Sequence, residues 1–214
     1  MLLHVRCAAS TDATGRLFDA LAEKHSGLRV VHHAVNQGLG GGYRTGFAES
    51  RGQAVTFFPA DAQFPATIIA QFLPLMSSHD MVLGYVPRRP DALLARILSA
   101  AERALYALLF GKMPRFQGVM MFRRRLLDEV PLRSQGRGWG IVLEFILRVS
   151  RGSYRVRSVP TEIRTRKLGE SKVINVRNIY SNLQQVLILR RTLNRPDDDN
   201  DRVRQTRVEP NSNS

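Results

Sequence analysis

Ala54-Val55-Thr56-Phe57-Phe58-Pro59-Ala60-Asp61-Ala62-Gln63-Phe64-Pro65 is the stretch on which the reading of this chain turns. Residues 54–58 are apolar, partly β-branched and aromatic, and the run is short and stops at a proline. That pattern predicts a buried β-strand. Just beyond it stand one carboxylate, Asp61, and one amide, Gln63. In an open α/β sheet, ligands bind in the crevice past the carboxyl ends of the strands. Two residues apart in an extended segment, these side chains point the same way. Two oxygen ligands on one side suit a hard divalent cation, Mg²⁺ or Mn²⁺, that also holds substrate phosphates. Taken alone, the same residues more often mean a polar turn closing a strand.

Upstream, residues 2–7 form a short strand-like run. Ser10-Thr11-Asp12 offers a helix N-cap, and residues 14–25 carry a helical pattern through Leu17, Leu21 and Ala22. Residues 28–35 predict a second strand, which ends in Asn36-Gln37-Gly38-Leu39-Gly40-Gly41-Gly42. Residues 43–50 then predict a helix. Strand, glycine-rich turn and helix N-terminus together make a phosphate site from free backbone N–H groups and the helix dipole. Downstream, residues 65–76 predict an amphipathic helix and 81–84 a strand. Alternating strand and helix argues for a mostly parallel sheet with helices on both faces.

After Arg88 the character changes. Residues 93–110 predict a long apolar helix, but Arg96, Glu102 and Arg103 make it a poor membrane span. It covers the sheet or lies on a membrane surface. Residues 118–122 predict a strand, 140–150 a helix bearing Glu144 among apolar neighbours, and 154–163 a strand. Residues 176–193 predict a last amphipathic helix, and the polar tail from Pro196 is expected to be disordered. One domain over 1–195 follows, with halves 1–90 and 91–195, and a tail over 196–214.

The chain holds 32 Lys and Arg against 18 Asp and Glu, a net charge of +14. Such a balance favours polyanions: nucleic acid, anionic lipid head groups or phosphorylated substrates. No nucleic-acid reading motif or aromatic interleaving is present, which disfavours nucleic acid. The single cysteine, Cys7, excludes a disulfide framework and fits a reducing compartment. Gly38 to Tyr43 has two glycines of a dinucleotide fingerprint, but Tyr43 stands where the third belongs, and no P-loop lysine follows.

The ordered set of motifs resembles the inverting family 2 glycosyltransferases: the Asn-x-Gly-Leu-Gly-Gly loop, the strand ending in Asp61-Ala62-Gln63, and residues 80–85 with Arg88 behind. Gly118-Val119-Met120-Met121-Phe122-Arg123-Arg124 and Arg166-Lys167-Leu168-Gly169-Glu170-Ser171-Lys172 are similar to the branch that makes polyprenyl-phosphate sugars. The resemblance implies a GT-A, Rossmann-like fold, a UDP- or GDP-linked sugar donor, a polyprenyl-phosphate acceptor and a divalent cation. It also implies work at the cytoplasmic face of a membrane, through peripheral contact or a membrane partner protein. It assigns Asp61 to catalysis and, with Gln63, to the metal. Asp12, Asn36, Gly38, Gly40 and Asp61 fall beside the donor, and Arg88, Arg166, Ser171 and Lys172 at phosphates. Glu144 falls near a family acid, and an ion pair with an arginine explains it equally well. A lipid phosphate is already anionic near pH 7, so the reaction needs no general base.

Three departures accompany the resemblance. The chain opens at what corresponds to the second strand, without the usual first strand–helix unit. Cys7-Ala8-Ala9-Ser10-Thr11-Asp12 replaces a motif that begins with two carboxylates, and Pro59 stands at the first metal-binding Asp. Each loss removes donor affinity. The rival readings are therefore an inactive or truncated homologue serving as a partner or scaffold and, more remotely, a basic nucleic-acid-binding protein.

Overall fold

A computed structural model describes residues 3–7, 13–59, 62–87, 104–164, 188–191 and 193. The elements run β1 (Leu3–Cys7), α1 (Thr14–Lys24), β2 (Leu28–His32), α2 (Gly38–Glu49), β3 (Ala54–Phe57) and α3 (Thr67–Phe72), which continues as a 3₁₀ turn (Leu73–Ser77). Then come β4 (Met81–Tyr85), a helical stretch α4 over 104–110, β5 (Met120–Arg123), α5 (Leu126–Glu129), α6 (Gly140–Arg151) and β6 (Val156–Pro160). β1 and β2 pair in parallel, and the other strands form one sheet in the order β3-β5-β4-β6. β4 and β6 are parallel, while β5 runs antiparallel to both β3 and β4. β3, β4 and β6 thus share a direction and β5 alone opposes it.

Period-two alternation sorts the sheet residues between two cores. Met81, Leu83, Met120 and Phe122 face α2 and α6, whereas Val82, Val119 and Met121 face α3. Both faces are covered, so β4 and β5 read as unbroken apolar runs. Between α2, α6 and the sheet the rings of Phe47, Phe122 and Phe145 meet edge-on or tilted, with centroids 4.8–5.8 Å apart. Tyr43 stacks on Phe57 at 4.2 Å, and burial pushes its hydroxyl pKa well up.

Several boundaries differ from those expected. β3 is an edge strand paired only with β5 and buries Val55 alone, so it is half-buried rather than fully buried. β2 stops at His32, three residues early, and β5 starts at Met120 because Gly118 is left-handed at φ 95°. β6 spans only Val156–Pro160, and Pro74 tightens the end of α3 into the 3₁₀ turn. The N-cap of α1 is Ala13, which has no capping side chain, in place of the Ser10–Asp12 cap. α2 begins at Gly38 rather than Tyr43, so the glycine run lies inside the helix. Residues 93–103, 176–187 and the tail from 196 lie outside the described residues.

Two buried carboxylates fasten the elements. Asp80, 3% exposed, accepts from the Arg155 N–H and the Arg125 guanidinium, with Arg123 at 3.6 Å. It thereby clamps the amino-terminal end of β4 to β5 and β6. Glu144 on α6 is fully buried. Its carboxylate accepts from the backbone N–H groups of Arg133 (3.1 Å) and Ser134 (2.7 Å) and from Arg148 Nε (2.9 Å).

Stranding a buried charge costs more than losing an exposed ion pair. Arg148→Ala should therefore destabilise the protein by about 3–5 kcal/mol, read as a lower denaturant midpoint at unchanged slope; a loss below about 1 kcal/mol, the size of an exposed pair, would contradict this role. For Asp80, burial raises the pKa, but the Arg155 N–H, the Arg125 bond and the arginine charges outweigh it and hold the group below its ordinary value. Its contribution is present above the unfolded-state pKa of about 3.9 and is lost as pH falls through the lower folded value. Asp80→Asn should cost roughly 1.5–3 kcal/mol at neutral pH, with the gap to wild type closing as the solution is acidified. A gap independent of pH would refute it.

Candidate functional site

The carboxyl ends of β3, β4 and β6 gather at one end of the sheet, and the antiparallel β5 delivers its entry segment to the same place. The Gln117 N–H donates to the Gly84 carbonyl, and the Gly84 N–H donates to that of Val119. The Thr161 N–H donates to the Tyr85 carbonyl, and the Arg164 N–H to the Gln63 carbonyl at 2.8 Å. The corner after β3 is therefore tied to the segment after β6. This is the sheet end where α/β proteins bind ligands.

At that corner Ala62 lies in the left-handed region, φ 57°. For an alanine this conformation costs roughly 1–2 kcal/mol, and such strain clusters at functional turns. The turn also replaces the extended segment on which a shared direction for Asp61 and Gln63 rested. Phe64 and Pro65 are buried directly behind Gln63. Phe64 packs so closely on Gly118 that a Cβ there would lie 2.2 Å from its ring.

The glycine run after β2 has a different partner from the one its composition implies. Its glycines let the backbone of the 136–138 segment lie against α2. A Cβ on Gly40 would lie 2.1 Å from the Gly136 carbonyl, and one on Gly38, at φ 70°, would lie 2.6 Å from that of Arg137. The Gly40 N–H donates to the Arg137 carbonyl at 2.8 Å, the Gly38 N–H to Asn36 Oδ1 at 2.7 Å, and the Arg137 guanidinium to the Asn36 carbonyl at 2.6 Å. Arg44 donates to the Gly136 carbonyl. Two N–H groups of the helix N-terminus are thus used within the chain, and Asn36, just before the N-cap residue Gln37, takes one of them through its side chain. Glu144 likewise acts inside the fold, through its ion pair with Arg148.

Of the remaining candidates, Asp12, Asp61, Arg88, Arg166, Ser171 and Lys172 lie outside the described residues. Arg88 directly follows Pro87, and Arg166 comes two positions after Arg164; both described neighbours lie at this end of the sheet. Among the described residues no three of His, Cys, Asp and Glu come together to hold a metal. Pro59 adds no side-chain ligand, and of the two expected ligands, Asp61 and Gln63, only Gln63 is a described residue. Two hard oxygen ligands fit Mg²⁺ or Mn²⁺ when phosphate oxygens complete the sphere.

A cleft of about 860 Å³, which composition did not announce, opens beside the corner. It lies between the end of β4, the 111–118 segment and the first half of α6. Arg115 stands over the Tyr85 ring, 5.4 Å from its centroid, and Trp139, 45% exposed, forms another wall. Its residues are scattered over the sequence; the isolated Trp139 within Gly138-Trp139-Gly140 was the one signal available.

The model of the family described as Glycosyl transferase family 2 matches residues 8–130. An undecaprenyl-phosphate mannosyltransferase of Micrococcus luteus is 27% identical over 180 residues, 77% of this chain and 72% of that protein. Glucosyl-3-phosphoglycerate synthase from Mycobacterium tuberculosis, solved with phosphoglyceric acid, matches with a TM-score of 0.60. The identity is 22%, over 86% of this chain and 68% of that one. A mannosyltransferase from Pyrobaculum calidifontis, solved with GDP-Man and Mn²⁺, matches at 0.58 and 20% identity, over 90% of this chain and 54% of the other. At these identities the solved structures establish the fold, the GT-A α/β arrangement.

Gly118 is the pivot of the corner. Gly118→Ala would force a side chain into left-handed backbone and into the Phe64 ring, destabilising the protein by roughly 2–5 kcal/mol. Thermal denaturation measures it; an unchanged midpoint would show that Phe64 does not depend on this contact.

Proposed function

This chain belongs to glycosyl transferase family 2, and from that premise we propose that it moves a sugar from a UDP- or GDP-linked donor to a polyprenyl phosphate at a membrane surface. The observation that carries the reading is the 2.8 Å backbone bond from Arg164 to Gln63. It joins the corner after β3 to the start of the basic stretch that contains Arg166, Ser171 and Lys172. Donor and phosphate groups are thereby addressed at one place. The sequence likeness to an undecaprenyl-phosphate mannosyltransferase supports the acceptor class.

In the transfer, an oxygen of the acceptor phosphate forms a bond to the anomeric carbon while the bond from that carbon to the nucleotide diphosphate breaks. The electron pair leaves with the diphosphate. Arg166 and Lys172 meet phosphate oxygens and stabilise the charge that grows on the leaving group, the usual largest contribution in such reactions. Ser171 donates a hydrogen bond to the same groups. Asp61 and Gln63 would hold a divalent cation, which when bound neutralises part of the diphosphate charge. The acceptor oxygen is already anionic, so no side chain has to remove a proton. Asn36, Gly38 and Gly40 form the wall beside the donor, held rigid by the 136–138 segment. Among the described residues no helix is long and apolar enough to cross a membrane; the association we propose is peripheral, through basic residues or a membrane partner protein.

Pro59 favours one rival, a homologue that folds but serves as a partner subunit. Calorimetric titration with UDP- and GDP-sugars, with and without Mn²⁺, separates the two. The proposal expects metal-dependent donor binding that Asp61→Ala weakens by about tenfold or more. A folded protein that binds neither donor would overturn it in favour of the partner-subunit reading.

A further inference from the structure

Resting on the transferase reading above, we propose that the cleft beside Tyr85 binds the acceptor as an amphiphile, a prenyl monophosphate. Arg115 meets its phosphate, and the aromatic floor takes the first part of its hydrocarbon. No residue of this cleft figures in the phosphate set carried over from the family motifs.

The lining separates by chemistry. Arg115 and Lys112 supply the positive charge, and among the described residues no carboxylate lines the cleft or pairs with either cation. Two cations with no carboxylate partner among the described residues favour an anion at this wall. The Tyr85 ring under the Arg115 guanidinium holds it by a cation–π contact and leaves its N–H fork for a phosphate. Apart from the Gln117 amide, the rest of the wall is mostly apolar or aromatic, including Phe116, Leu143 and Ile146. A small polar acceptor would leave that surface wet, whereas a hydrocarbon chain covers it. At about 860 Å³ the cleft has room for a phosphate and several prenyl carbons.

Position agrees with chemistry. Gly118 lines the cleft and also packs against Phe64, the residue after Gln63. An anionic oxygen held by Arg115 therefore lies beside the corner where the donor is proposed to sit. At the other side, Ala107 and Leu189 line the cleft. Their neighbours Leu108 and Ile188 are 79% and 61% exposed, with Arg190 and Arg191 exposed next to them. Exposed apolar residues and cations thus adjoin the cleft lining, which suits the remaining chain of a lipid leaving toward an anionic bilayer.

Trp139 is the only tryptophan of the chain and forms part of the cleft wall, so it reports directly on occupancy. The test is fluorescence titration of the full 214-residue chain with farnesyl phosphate, with farnesol and with inorganic phosphate. The proposal predicts a saturable blue shift with farnesyl phosphate, and binding of farnesol and of inorganic phosphate each weaker by about tenfold or more. Arg115→Ala should weaken farnesyl phosphate by a similar factor and leave farnesol unchanged, while Arg115→Lys recovers part of the loss. No response to farnesyl phosphate, equal affinity for farnesol, or equal affinity for inorganic phosphate would overturn it. So would an Arg115→Ala variant that melts as wild type does and binds as tightly. Donor titration on the same preparation keeps the two readings apart. Donor binding without a farnesyl phosphate response sinks the cleft alone. A farnesyl phosphate response without donor binding sinks the transferase reading and leaves the cleft.

Discussion

The buried carboxylate of Glu144 is the constraint that the packing of α2 and β3 depends on. A charge taken fully out of water has to find partners, and here they are an arginine one helical turn away and the backbone of residues 133 and 134. Fixing those two residues fixes the segment that follows them. That segment lies in backbone contact with the glycines of α2, which admit it because they have no side chains. α2 in turn stacks Tyr43 on Phe57, the last residue of β3. A single carboxylate on α6 thus sets, through three packed elements, where β3 ends and the corner begins.

The second organising fact is direction. Because β3, β4 and β6 run one way, their carboxyl ends converge. β5, running the other way, brings residues 115–118 to the same end from the opposite side. Asp80 secures the far end, where three arginines share its buried carboxylate. The sheet is clamped by ionic contacts at one end and left open for ligands at the other. Strain at Ala62 and close packing at Gly118 lie on that other end, where the proposed site would sit.

Sequence patterns revealed the parts of this molecule whose cause is local. β4 and β5 were legible because strands buried on both faces need unbroken apolar runs, and the α6 helix because its apolar positions recur at helical spacing. The glycine run was not legible as helix, since glycine lowers helix propensity and its reason for being there, the approach of Gly136 and Arg137, is far away in sequence. Glu144 could be paired with Arg148 from their spacing, but its backbone partners depended on where a loop returns. The boundaries of β2, β3 and β6 were overextended because apolar or β-branched residues, Val35, Phe58 and Ile163, run on past the last ladder bond. Of the candidate site, Gln63, Asn36, Gly38 and Gly40 fall on described backbone at two neighbouring elements. The cleft residues, drawn from four separate stretches, had no common signature to find.

The proposed function unites these features as the handling of phosphate charge by a strongly basic chain, +14 overall. In the proposed transfer an anionic acceptor meets an anionic donor, and arginines and a divalent cation would bring these like charges together. The most direct measurement is mass spectrometry of the lipid fraction after the purified chain is incubated with Mn²⁺, GDP-mannose or UDP-glucose, and undecaprenyl phosphate. A glycosyl-phosphoryl lipid formed with one donor and absent without enzyme is the predicted result. Unchanged lipid with both donors, from a folded protein that binds them, would contradict the assignment of a prenyl phosphate as acceptor.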